Sequence, residues 1–156
     1  MPMRTCRTLV FWLVSIWSLG ASAAFASPPF FAIGGVYEDG RMSAGERQLR
    51  RILNRRDAAL TFRTMTHSNA AVTQLYGLLG LHLTDRQALN AELPVFLKRG
   101  DLVPTMRGCS AQGEQVGAIA EEIARGNYDV LIARPPRRDP IVSPEVTIHQ
   151  RQTMGR

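Results

Sequence analysis

The chain has 156 residues, of which 45% are apolar, with a formal net charge of +6 and two cysteines. That length and apolar fraction describe one domain able to bury a sizeable core without disulfide staples. They exclude collagen-like, multi-pass membrane and disulfide-scaffold proteins.

Residues 1–26 read as a cleavable secretory signal. Arg4 and Arg7 supply a charged start, Leu9 to Leu19 an apolar run, and Gly20 to Ala26 a small-residue stretch ending Ala24-Phe25-Ala26, so that Ser27 becomes the mature N-terminus. Left uncleaved, the same stretch would be an anchor and the chain's one expected membrane contact. No cysteine follows the small residues, so a lipid anchor is not expected. The predicted destination is the periplasm of a bacterium, or secretion. Cleavage removes Arg4, Arg7 and Cys6, which lowers the charge by two units and leaves Cys109 as the lone thiol. In an oxidising compartment such a residue is buried and inert, paired between chains, or chemically active. Burial is the expected state, because free cysteine behaves as a small hydrophobe.

Residues 27–42, with Pro28, Pro29, paired Gly34-Gly35 and Asp39-Gly40, read as an extended lead-in containing a short hairpin. Ser43 and Glu46 have capping-box spacing and start a first helix carrying Leu49, Ile52 and Leu53 on one stripe. Asp57 is a candidate cap for a segment from Ala58 to His67, where three threonines favour strand and neither period is clean. Asn69 is the expected cap of the central helix, Ala70 to Leu83, whose wide apolar arc requires near-complete enclosure. Thr73, Gly77, Gly80 and Thr84 line another of its sides, and this row of small residues predicts close approach by a neighbouring helix.

Thr84 and Gln87 repeat the capping spacing before a helix from Asp85 to Lys98, which Pro94 should kink or restart. Leu102 to Ser110 reads as irregular or a short strand. Glu114 to Arg125 forms the next amphipathic helix, closed by Gly126-Asn127. Tyr128 to Ala133 reads as a strand or a docked extended segment. Residues 134–156, with Pro at 135, 136, 140 and 144, read as a flexible tail. The expected fold is therefore all-α: an antiparallel helical-hairpin domain of four or five helices over residues 43–133.

At Leu75-Tyr76-Gly77-Leu78-Leu79-Gly80-Leu81-His82-Leu83-Thr84-Asp85 and the helix that follows to Lys98, the chain resembles one unit of the HEAT-type helical repeats. The resemblance has no second copy at a fixed period. It implies a curved stack of helix pairs with a concave binding face, and no chemistry.

The sequence lacks the spacings of the common metalloprotease, P-loop, nucleophile-elbow and EF-hand motifs, and neither a cofactor nor a metal site is expected. His67, His82 and His149 are scattered, and the nearest candidate metal pair, His82 with Asp85, is better explained by helix boundaries. Gly108-Cys109 is similar to the nucleophile segment of exported L,D-transpeptidases, which would imply a Cys109 thiolate with His67 or His82 as base. The chain departs from that family at Met106, where a hydroxyl residue belongs, and in the distance of His82 upstream.

The most suggestive surface feature is cationic. Arg47, Arg51 and Arg55 recur at helical spacing on the first helix, beside Arg50 and Arg56. A row of guanidinium groups suits carboxylate or phosphate; the plain alternative is a solvated helix face. Of the 19 basic residues only Lys98 is lysine, which reads as the codon bias of a GC-rich genome. Export and the scarcity of aromatics beside the arginines argue against nucleic acid. The expected function is a non-enzymatic exported interaction module that contacts a protein partner or an anionic envelope component through Arg47, Arg50, Arg51 and Arg55. Its alternatives are an envelope enzyme using Cys109 or a carboxylate such as Glu114, and a homodimer joined through Cys109.

Overall fold

A computed structural model of the chain describes residues 27–134. The expected signal and nearly all of the expected tail lie outside that range. Six helices are present among the described residues: α1 (Ala44–Leu53), α2 (Ala58–Thr66), α3 (Ala71–Thr84), α4 (Arg86–Leu97), α5 (Val116–Ala124) and α6 (Asp129–Ala133). Between α4 and α5 stands an antiparallel pair, β1 (Leu102–Arg107) and β2 (Ser110–Gln115). The fold is thus mixed α and β, which corrects the all-α expectation.

The hairpin was obscured by its composition. Ser110 to Gln115 carries no apolar alternation because nearly all of β2 is exposed. What fixes the pair is the turn: Arg107 faces Ser110, so only Gly108 and Cys109 connect the strands, and Gly108 has φ +61. A two-residue loop with glycine at its first position matches the twist of the flanking strands. Beyond that turn, β2 extends through residues assigned above to the start of α5.

The lead-in completes the small sheet on the other edge of β1. The Phe31 amide donates to Pro104 O at 2.9 Å, and Phe31 O accepts from the Met106 amide at 3.0 Å, a parallel bridge. The chain then leaves β1 and returns at Val36, which bridges Gly108 and pairs with Arg41 across the Tyr37–Gly40 turn. This is the short hairpin expected from Asp39-Gly40. Phe31 packs on the rings of Tyr76 and Tyr128.

At the centre stands α3, with Leu75, Leu78, Leu79 and Leu81 fully buried. Of its row of small residues, Gly77 and Gly80 meet α2, while Thr73 lies against Ser27. A Cβ on Gly77 would lie 2.7 Å from the Thr66 amide nitrogen and 2.8 Å from Phe62 O, and one on Gly80 would overlap the Phe62 ring. Packing of this kind decides α2 as helix, since Phe62 and Met65 gain burial against α3 that outweighs the strand preference of its threonines.

Capping differs in detail from the sequence reading. The Ser43 hydroxyl accepts from the Glu46 amide, as its spacing requires. Asn69 does not cap α3; Ala70 holds that place, and the Ser68 hydroxyl accepts from the Ala70 amide. Asp57 makes no side-chain cap. Asp85, rather than Thr84, caps α4 by accepting from the Ala88 amide, and the Thr84 hydroxyl turns back to Gly80 O. Helix α4 runs through Pro94 to Leu97, with Pro94 on its exposed side. Residues Asp129–Ala133 form a short helix rather than a strand.

Tyr76 ties these layers together. Its hydroxyl donates to Ala32 O at 2.9 Å, accepts from the Ala32 amide at 3.0 Å, and lies 3.2 Å from the Ser43 hydroxyl. Burial pushes its pKa up to about 12, so it is a permanent hydrogen-bonding group joining α3, the lead-in and the start of α1.

Candidate anion-binding face

The arginines in and just after α1 fall into two chemical groups, Arg55 lying beyond the helix end at Leu53. Arg50 is structural. Its guanidinium donates twice to Glu46 Oε1, at 3.0 and 2.9 Å, and once to Ile132 O at 2.9 Å. Glu46 is buried, and its other oxygen accepts from the Gly34 amide at 3.0 Å. The pair clasps α1 to the lead-in and to α6. Arg55 is occupied by Asp57 at 2.9 and 2.6 Å in an exposed pair, which raises the pKa of Arg55 and lowers that of Asp57 through their shared hydrogen bonds.

Arg47 and Arg51 differ. Arg47 donates to Met42 O at 2.6 Å and Arg51 to Arg47 O at 3.3 Å. Neither has a carboxylate partner among the described residues. One helical turn separates them, about 5–6 Å. Beside them lies a depression of about 590 Å³ lined by apolar Met42, Leu53 and Ile132 and also by Arg50 and Asn54. Of the four arginines expected to face a ligand, Arg50 and Arg55 are thus paired with carboxylates, and Arg47 and Arg51 are bonded only to carbonyls. Arg50 had a legible warning in the sequence, the i, i+4 carboxylate of Glu46. The contribution of Ile132 had none, because it arrives from the far end of the chain.

Cys109 is exposed at the hairpin turn, which corrects its expected burial. A two-residue turn leaves no neighbouring element to cover it. The two candidate bases are engaged elsewhere: His67 faces Glu92 at 3.3 Å, and His82, buried in α3, contacts Asp129 at 2.9 Å. His82 does not pair with Asp85. Among the described residues, no three His, Cys, Asp or Glu side chains converge to hold a metal ion.

Glu114 belongs to a closed network. Arg107 donates to both its oxygens at 3.0 and 2.8 Å and also reaches Glu122 at 2.8 Å, while Thr105 and Gln112 donate to Glu114 at 2.7 and 2.9 Å. These donors, Arg107 first, hold the Glu114 carboxyl down at about 2. A carboxylate so held is neither a proton donor near neutrality nor a strong base. Tyr128 donates to Glu122 at 2.6 Å, and burial, with that carboxylate, raises the Tyr128 pKa.

Comparison with protein-family models, curated proteins and solved structures finds no match to this chain. No helix among the described residues is long and apolar enough to cross a membrane.

Proposed function

We propose that the chain is a non-enzymatic interaction module, acting after export in the periplasm or outside the cell, that holds an anionic partner against the outer face of α1. The observation that carries this reading is the pair Arg47 and Arg51, one turn apart, without carboxylate partners among the described residues and bordering a partly apolar depression. Guanidinium groups of this kind recognise carboxylate or phosphate with two parallel hydrogen bonds. The apolar part of its lining adds contact area that a solvated helix face does not offer.

The test compares two charge reversals with the same net change. Arg47→Glu with Arg51→Glu should release the folded protein from a heparin matrix at clearly lower salt than Arg55→Glu with Arg56→Glu. Equal elution would reduce the interaction to net charge and overturn the reading. Export is tested on the full chain, by fractionation and by the mass of the processed N-terminus, expected at Ser27.

The exposure of Cys109 favours one second reading, a homodimer joined through this residue. A dimer band on non-reducing gels, lost on reduction and in Cys109→Ser, supports it; a monomer under oxidising conditions removes it.

A further inference from the structure

The depression beside Arg51 does not stand alone. A second one, of about 290 Å³, lies on the other side of Arg47, and the two share Met42 and Arg47 as their common border. The far depression is lined by Pro28, Pro29, Phe30, Tyr37 and Arg41. Its aromatic rings are ordered: Phe30 meets Tyr37 edge-on with centroids 6.5 Å apart, and the Arg41 guanidinium stacks over Tyr37 at 4.7 Å. Tyr37 is the one non-glycine among the described residues with positive φ, at 60°. A bulky residue rarely adopts that conformation, so the turn holds this ring in place at the expense of backbone strain.

The resulting surface is a trough with a partly apolar depression at either end, Arg47 between them, Arg41 at the far one and Arg50 and Arg51 at the near one. From this geometry we infer that the ligand is an extended peptide segment of a partner protein, in which an acidic residue lies between two apolar side chains. The inference rests on the anionic partner proposed above and narrows its class. In an extended chain, side chains two residues apart project from the same face, about 7 Å apart, so a single backbone can place a carboxylate on Arg47 and an apolar group on each side. A phosphorylated polysaccharide has nothing to fill the apolar depressions. A lipid headgroup at Arg47 carries its acyl chains on one side only. Membrane docking would further require several protruding apolar residues on this face. Tyr37 alone among the large exposed ones lines the trough, and its ring is held by Phe30 and Arg41; Leu60, Val95, Leu97, Leu102 and Val130 lie elsewhere.

The experiment titrates the folded domain with short synthetic peptides in which an acidic residue has a leucine two positions before and two positions after it, with the same peptides bearing serines in place of leucines, and with phosphatidylglycerol vesicles. Amide chemical shifts provide the readout. The leucine peptides should bind about tenfold more tightly than the serine peptides, with shifts at Phe30, Tyr37, Met42, Arg47 and Leu53. Arg47→Gln and Phe30→Ala should each reduce that binding severalfold, and their unperturbed spectra elsewhere report an intact fold. Equal affinity for leucine and serine peptides, or binding to vesicles alone, would overturn the peptide assignment while leaving the anionic face standing. Insensitivity of every probe to Arg47→Gln and to the Arg47, Arg51 reversal would remove both.

Discussion

The division of the α1 arginines into Arg50, paired with a buried carboxylate, and Arg47 and Arg51, bonded only to carbonyls, makes a quantitative prediction for Arg50→Ala. Glu46 exposes only 2% of its side chain and Arg50 21%, so truncating Arg50 leaves a buried carboxylate with the Gly34 amide as its remaining partner. Breaking a buried pair from one side costs about 3–5 kcal/mol. The partial exposure of Arg50 and the retained amide bring the expectation to about 2–3 kcal/mol, which for a domain of this size lowers Tm by about 10–20 °C. Arg47→Ala and Arg51→Ala remove groups bonded only to carbonyls, and both should stay within about 0.5 kcal/mol of the parent. Thermal unfolding followed by circular dichroism measures all three. The double variant Glu46→Gln, Arg50→Met provides the control, because the neutral amide oxygen at position 46 still accepts from Gly34 and no lone charge remains; it should recover most of the loss. If Arg50→Ala melts within about 2 °C of Arg51→Ala, the clasp contributes nothing, and the reason for separating Arg50 from its neighbours fails.

Gly77→Ala gains about 1 kcal/mol of helix propensity but drives a methyl into the α2 backbone. The overpacking cost, at the upper end of about 1–3 kcal/mol, should win and leave a net loss of about 2 kcal/mol in urea unfolding. Gly100→Ala meets nothing within 4 Å and should be neutral. The carboxyl of Glu114, held at about 2 against an ordinary 4.5, contributes stability that is complete above its unfolded value and is lost as pH falls from there through about 2. Acid titration of Tm should therefore show a decline over that window that Arg107→Gln flattens; parallel curves for the two proteins would contradict it. Cys109, being exposed, should react with iodoacetamide in the folded protein nearly as fast as in urea, read by mass spectrometry of its peptide. Strong protection would mean that the hairpin turn is covered.

The parts of the fold legible in the sequence were those where one element decides its own structure. The Ser43 start of α1, the all-round burial of α3 and the packing of Gly77 and Gly80 follow from spacing within single helices. The illegible parts are decided by partners remote in the chain. Ser110 to Gln115 is a strand because β1 and a tight turn pair it, and its polar residues give no period. Phe31 and Val36 are sheet residues because β1 and its turn receive them. The site divides along the same line. Regular spacing exposed the arginine row and the Glu46 partner of Arg50, but only tertiary structure shows that Arg50 also bonds Ile132 O and that the row borders depressions assembled from three separate segments.

The docking of Phe31 on β1 and Tyr128 carries a consequence for the order in which the protein matures. A chain made from its N-terminus exposes Phe30, Phe31 and Ala32 well before the partners of Phe31 at Pro104, Met106 and Tyr128 have been made. Such sequence-distant closure is slow, and transiently uncovered apolar segments are prone to aggregation. Tyr76 can meet Phe31 and Ala32 earlier, but the strand partners of Phe31 on β1 are absent until most of the domain has followed. The same arrangement makes the nascent N-terminal segment the place where a holding chaperone would be needed most.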